Sequence, residues 1–79
     1  MPKADQMNPS HIGAPMPGKV LDVRIKKGDT VAKGQALLVT ESMKMEYVIA
    51  AKNAGEVRDV FVKRGEMVEG GDLLVELKG

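Results

Sequence analysis

The chain has 79 residues, a formal net charge of +1 and no cysteine. This length predicts one domain with a small core and argues against an active site enclosed within this chain alone. The lack of cysteine excludes disulfides and thiolate metal sites. The mixed charges and two aromatic residues give no footprint for nucleic acid. With no apolar run that could span a bilayer and no signal segment, the sequence predicts a soluble, cytoplasmic module without a membrane partner.

The first residues of the chain have the composition of a linker. All four prolines lie within residues 1–17, which show no sustained hydrophobic periodicity. We expect residues 1–12 to be a linker or flexible tail, and residues 13–79 to form the domain.

An internal repeat appears when the chain is shifted by 37 residues. Residues 18–41 then align without a gap with residues 55–78. The turn glycines Gly28 and Gly34 of the first copy match Gly65 and Gly71 of the second. Because neither copy could bury its apolar face alone, the repeat predicts that the two copies pack as a pseudo-two-fold pair.

Each copy has the pattern of β-strands. Val23 and Ile25 alternate with charged residues, and the second copy repeats this alternation. No stretch has helical apolar spacing over three turns. The predicted fold class is therefore all-β, as a small flattened antiparallel barrel or sandwich of about eight short strands.

The segment between the copies, residues 42–54, is predicted to form a hairpin with Met43, Lys44 and Met45 at or near its tip. A lysine between methionines has no obvious structural role there. A strand would favour β-branched or aromatic residues, and a tight turn would favour Asn-Gly or Asp-Gly. A lysine at the pivot between two copies of one unit therefore suggests a side chain displayed for covalent modification.

The repeat, the turn glycines and the segment ESMKME give the chain a family resemblance. Residues 13–79 resemble the biotinyl (biotin carboxyl carrier) domain of biotin-dependent carboxylases, within the wider biotinyl/lipoyl superfamily. The family motif is usually Glu-Ala-Met-Lys-Met, and Ser42 stands at its small alanine position. The segment before the repeat is most similar to the one that introduces the carrier domain of pyruvate carboxylases. The resemblance implies a hammerhead-type barrel, monomeric when isolated, with no catalytic group of its own.

The resemblance also implies roles for the residues of the tip. Lys44 is the expected attachment site of biotin, through an amide made by a biotin protein ligase. Glu41, Ser42 and Glu46 are expected to be recognised by that ligase. Met43 and Met45 are expected to contact biotin or partner enzymes, or simply to cap the end of the barrel, and no metal ligand is expected.

In the parent enzyme implied by the resemblance, biotin would be carboxylated at a biotin carboxylase domain. It would then carry CO2 to a carboxyltransferase domain, where pyruvate would be the acceptor and oxaloacetate the product. The domain would raise the effective concentration of biotin at each active site, because a tether makes every encounter intramolecular.

Three alternatives stay open at this point. A lipoyl carrier domain of a 2-oxoacid dehydrogenase complex shares the fold and a hairpin lysine, although such domains usually have Asp-Lys-Ala at the tip. The chain could also serve another biotin enzyme, namely acetyl-, propionyl- or methylcrotonyl-CoA carboxylase or oxaloacetate decarboxylase. In the third alternative the barrel is an unmodified structural or interaction domain and Lys44 is incidental.

Overall fold

The computed structural model describes residues 3–5, 8 and 10–78. This part of the chain contains eight β-strands. The strands are β1 (His11–Gly13), β2 (Gly18–Val23), β3 (Thr30–Val31), β4 (Ala36–Ser42), β5 (Met45–Ala50), β6 (Gly55–Val60), β7 (Met67–Val68) and β8 (Leu73–Lys78). They form two four-stranded antiparallel sheets, in the orders β1-β8-β6-β3 and β5-β4-β2-β7. The predicted all-β architecture is confirmed. No helix in the described residues could cross a membrane.

The two sheets repeat each other in register. Every cross-strand pair between β2 and β4 recurs 37 residues later between β6 and β8, including the bulge that follows Val20 and Val57. In addition, β7 of the second copy pairs with β2 of the first, and β3 of the first copy pairs with β6 of the second. Each sheet therefore contains strands from both copies, which is how the pair buries the apolar face of each unit.

The structural repeat begins earlier than the sequence alignment predicts. β1 starts at His11, and its Ile12 is buried and pairs with Val75, just as Ile49 pairs with Leu38 in the other sheet. The predicted linker, residues 1–12, thus overlaps the first strand. Its residues 1, 2, 6, 7 and 9, and residue 79 of the predicted domain, lie outside the described residues.

The hydrophobic core lies between the two sheets and draws equally on both copies. Equivalent positions of the repeat are buried together, because alternate residues of a strand point to the same face. The most deeply buried large side chains are Ile12, Val20, Val31, Leu37, Leu38, Val57, Leu74 and Val75.

Four turns of one design join the strands, and each has a glycine with positive φ as its third residue. In each turn the backbone N–H of the first residue donates a hydrogen bond to the side chain of the fourth residue. The backbone N–H of the fourth residue in turn donates to the carbonyl oxygen of the first. Glycine adopts this backbone conformation without steric cost, which explains the spacing that the sequence alignment shows. The four turns span residues 26–29, 32–35, 63–66 and 69–72.

The last of these turns also anchors Lys3 and Ala4. Lys3 bridges to Asp72 with its Nζ 2.5 Å from Oδ1, and Ala4 donates its N–H to the Gly71 carbonyl at 2.7 Å. The hydrogen bond from Lys3, followed by that from the Glu69 N–H, lowers the pKa of Asp72 below its ordinary value. The same hydrogen bond to Asp72 raises the pKa of Lys3. Lys3 and Ala4 are thus held to the domain by charge as well as by backbone pairing.

This ion pair predicts a pH dependence of stability. Because the folded-state pKa of Asp72 is lower than its unfolded value of about 4, the pair stabilises the domain above that pH and is lost as pH falls through the folded pKa. We expect Lys3→Met to lower the thermal midpoint at pH 7, and the deficit relative to the unmodified chain to shrink below about pH 4. Lys33→Met, at an exposed turn position, is the control. A deficit that stays constant from pH 7 to pH 3 would contradict this origin.

Candidate functional site

The loop between β4 and β5 is a two-residue turn. Ser42 pairs with Met45 as the last cross-strand pair, so Met43 and Lys44 alone form the turn. Both have positive φ, 53° for Met43 and 67° for Lys44, as the type I′ hairpin turn requires. The left-handed conformation costs a residue with a side chain roughly 1–2 kcal/mol, which Asn-Gly would largely avoid. The six cross-strand pairs of β4 and β5 hold the turn in place despite this cost.

Lys44 is exposed and lies at the second turn position. Its amine makes no hydrogen bond or ion pair with any residue in the described part of the chain. Lys3, in contrast, is bound to two carboxylates. The Lys44 side chain is therefore free to extend into a partner, and its backbone is fixed by the hairpin beneath it.

The two methionines beside Lys44 are also exposed. Met43 is 93% accessible and lies in the turn. Residues two apart share a face only within a strand, so Met43 and Met45 do not form one strand face. Met45 is 60% accessible, and its sulfur accepts a hydrogen bond from the Tyr47 hydroxyl at 3.9 Å. Neither side chain covers the core, which does not support a capping role. Exposed methionines are flexible, polarisable contact surfaces.

Two glutamates lie at the base of the tip. Glu41 and Glu46 are directly opposite each other on β4 and β5, and both are exposed. Like charges in that position destabilise a sheet. On its other side Glu41 faces Lys19 of β2, which offsets part of the repulsion.

Ser42 is half-buried, and its Cβ is 3.5 Å from the position that a Cβ on Gly18 would occupy. A small residue therefore suits position 42.

The structure brings further residues to the hairpin that sequence reasoning did not single out. Pro17, Gly18, Lys19 and Met67 line a shallow cavity with Glu41, Ser42 and Met43. Met67 reaches this place because β7 pairs with β2 across the two copies. One signal was available in the sequence. Met67 is aligned with a threonine, Thr30, in the first copy of the repeat.

A comparison with known protein families gives a match over most of the chain. The family model described as "Biotin-requiring enzyme" matches residues 10–77. The chain belongs to this family.

A pyruvate carboxylase of Staphylococcus aureus is 51% identical over 77 residues, which are 98% of this chain and 7% of that protein. The biotinyl domain thus spans less than a tenth of the length of that relative. Among solved structures, a single-chain, multi-domain long-chain acyl-CoA carboxylase superposes with a TM-score of 0.78 at 34% identity, over 96% of this chain and 8% of that chain.

A lipoyl domain of the 2-oxoglutarate dehydrogenase complex of Azotobacter vinelandii also superposes on the biotinyl domain. Its TM-score is 0.71 at 23% identity, and 81% of each chain is covered. An identity this low shows the shared fold alone. The matches fit a biotin carboxyl carrier domain better than the lipoyl alternative. The domain is a non-catalytic carrier, its cofactor is covalently attached biotin, and an unpaired exposed amine on a fixed hairpin fits such an attachment.

Proposed function

We propose that Lys44 is the biotin attachment residue, and that the domain carries CO2 between a biotin carboxylase and a carboxyltransferase site of a pyruvate carboxylase. The observation that carries this proposal is the position of Lys44, exposed and unpaired in a two-residue turn flanked by two exposed methionines. The similarity to pyruvate carboxylase over nearly the whole chain supports pyruvate as the acceptor. When bound, biotin supplies a ureido nitrogen that takes up CO2 and releases it.

The attachment step requires a neutral amine on an accessible side chain. The Lys44 Nζ attacks the carbonyl carbon of biotinyl-5′-adenylate, the new amide bond forms, and AMP leaves while the amine loses a proton. The described residues offer no base within hydrogen-bonding reach of Nζ, so the base belongs to the biotin protein ligase. The domain's own contribution is to hold the lysine backbone still and keep its side chain open.

We assign Glu41, Ser42 and Glu46 to recognition by the ligase. Support comes from the directly opposed charges of Glu41 and Glu46, a pair that the fold does not need and that costs stability. Carboxylates held side by side beside the acceptor lysine offer a basic surface on the ligase two partners at a fixed spacing.

This assignment gives a prediction with opposite effects on stability and loading. We expect Glu46→Gln to raise the free energy of unfolding by about 0.2–1 kcal/mol, because it removes a like-charge pair, and to slow biotin loading. Glu56→Gln is the matched control, since Glu56 is exposed in the other sheet opposite Lys78. It should leave the loading rate unchanged and bring no gain in stability. Urea unfolding and timed intact-mass spectrometry measure the two effects. Loading of Glu46→Gln at the unmodified rate would contradict the assignment.

The proposal as a whole is tested by loading the chain with biotin, ATP and a biotin protein ligase. We expect the mass to rise by one biotin, and fragmentation to place the increment on Lys44 among the nine lysines. An increment on another lysine, a lipoyl increment after expression in cells, or no increment would overturn the attachment site. The acceptor is tested on the avidin-captured parent protein. Oxaloacetate formation that depends on pyruvate, ATP and bicarbonate supports the proposal, and carboxylation of an acyl-CoA instead overturns it.

The proposal also includes the cellular compartment and the oligomeric state of the domain. We place the domain in the cytoplasm, and we infer that the isolated domain is a monomer. In the described residues the two sheets cover each other's apolar faces, which supports the monomer. Cell fractionation and the molar mass in solution check these two points.

A further inference from the structure

One exposed apolar side chain near the hairpin has no role in the fold. Met67 is 70% accessible, on the two-residue strand β7 at the edge of the sheet that carries Lys44. With Pro17, Gly18, Ser42 and Met43 it lines a shallow cavity of about 340 Å³ beside the turn, and Lys19 and Glu41 belong to the same lining. Since so little of the Met67 side chain is buried, packing does not explain why a methionine is there.

The pseudo-two-fold repeat provides an internal comparison. The position equivalent to Met67 is Thr30, which pairs with Glu56 on β6 just as Met67 pairs with Lys19 on β2. The same backbone geometry is thus built with a threonine. Of these two equivalent positions, the one in the sheet that displays Lys44 carries the exposed methionine.

The cavity is within reach of a group tethered to Lys44. The cross-strand register joins Glu46, Glu41, Lys19 and Met67 in one row across β5, β4, β2 and β7. Neighbouring strands are about 4.8 Å apart, so the backbone of Met67 is about 10 Å from β4. An extended lysine side chain continued by the valeryl chain of biotin is longer than this. A tethered group is also present at an effective concentration in the millimolar range, so a weak contact is sufficient for occupancy.

The lining matches the chemistry of the biotin head group. Its fused rings and thioether are largely apolar, and they suit the adaptable side chains of Met43 and Met67. Its urea carries a carbonyl oxygen and two N–H groups. In the same lining, the Lys19 ammonium can donate to the carbonyl oxygen, and the Glu41 carboxylate can accept from an N–H. We propose that biotin on Lys44 rests in this cavity against Met67 when it is not engaged in an active site.

This proposal rests on the proposed function, and the experiment separates the two. The full chain, labelled with ¹³C at its methionine methyl groups, is compared by NMR before and after biotin loading, with loading verified by mass. We expect the Met67 methyl signal to shift and to show nuclear Overhauser contacts to the biotin ring protons. A shift of Met43 alone is not diagnostic because Met43 is adjacent to Lys44. If no mass increment forms, the attachment proposal fails; if loading succeeds but Met67 shows neither effect, the resting site alone is overturned.

Two variants sharpen the result. Thr30→Met places a methionine at the pseudo-symmetric position, and its methyl signal should not change on biotin loading. Equal shifts at residues 30 and 67 would overturn the proposal, since they would reflect a general effect of modification. Met67→Thr introduces the residue that the first repeat has at the equivalent position, Thr30, so the domain should fold and accept biotin. Its biotin ring signals should move to the positions of free biotin amide, and signals unchanged from the loaded unmodified chain would contradict the proposal.

Discussion

Lys44→Arg is expected to accept no biotin, and a variant in which Met43 and Lys44 exchange places is expected to accept it at least about a hundredfold more slowly. The exchange keeps composition and charge constant, and both positions are exposed turn positions. It moves the amine from the second turn position to the first, a shift of about 3.8 Å between Cα atoms that also changes the direction of the side chain. Displacements of about 1 Å are enough to cost a hundredfold when a nucleophile must meet a bound electrophile.

The measurement is the rate of the mass increment with biotin, ATP and ligase. Lys52→Arg is the control, because Lys52 is an exposed lysine in the segment that follows β5. It should load at the unmodified rate. The thermal midpoint of each variant establishes that the hairpin is intact. If the exchanged variant loads within about tenfold of the unmodified chain, exposure of the lysine would suffice and the turn geometry would not matter.

Gly18→Ala is expected to destabilise the domain by about 2–3 kcal/mol, a large part of the stability of so small a core. A Cβ on Gly18 would be 2.6 Å from the carbonyl oxygen of Glu41 and 3.5 Å from the Cβ of Ser42. β2 is hydrogen-bonded to β4 on one side and to β7 on the other, so its backbone cannot move away without weakening a ladder. The substitution therefore forces strain into the base of the lysine hairpin.

The repeat again supplies the matched control. Gly55 is the equivalent glycine, and a Cβ there would be 3.1 Å from the carbonyl oxygen of Lys78. That contact is less severe and lies at the end of β8, so we expect Gly55→Ala to cost about 1 kcal/mol or less. Urea unfolding with a common m-value gives the two differences. Gly18→Ala should also slow biotin loading, because Glu41 and Ser42 must shift. Equal destabilisation by both substitutions would show that the close contact with Glu41 is not the cause.

The sequence was sufficient for those parts of the fold that local patterns encode. Glycines at identical repeat positions predict the turns at Gly28 and Gly65, and each turn requires a positive φ there. β1 could not be recognised, because His11–Gly13 shares one isoleucine with its repeat equivalent Val48–Ala50 and is too short to show alternation.

The candidate site was predictable in part for similar reasons. The hairpin and its lysine follow from the repeat and the motif. The turn itself was not predictable from propensity, since Met43 and Lys44 both adopt a conformation that favours asparagine or glycine. Here the register of β4 and β5 overrides the local preference. The proximity of Met67 to the hairpin depends on the pairing of β2 with β7, a contact between copies that no local pattern encodes.

The exchange of strands between copies also bears on when the lysine is presented during synthesis of the chain. The sheet that displays Lys44 has β7 as its last strand, which ends at Val68, and β2 is flanked on that side by no other strand. When synthesis has reached Lys44, β4 can pair with β2. The strands β6 and β8, which cover the other side of the core, have not yet been made. The core that supports the lysine hairpin is therefore complete only after β8 has been synthesised.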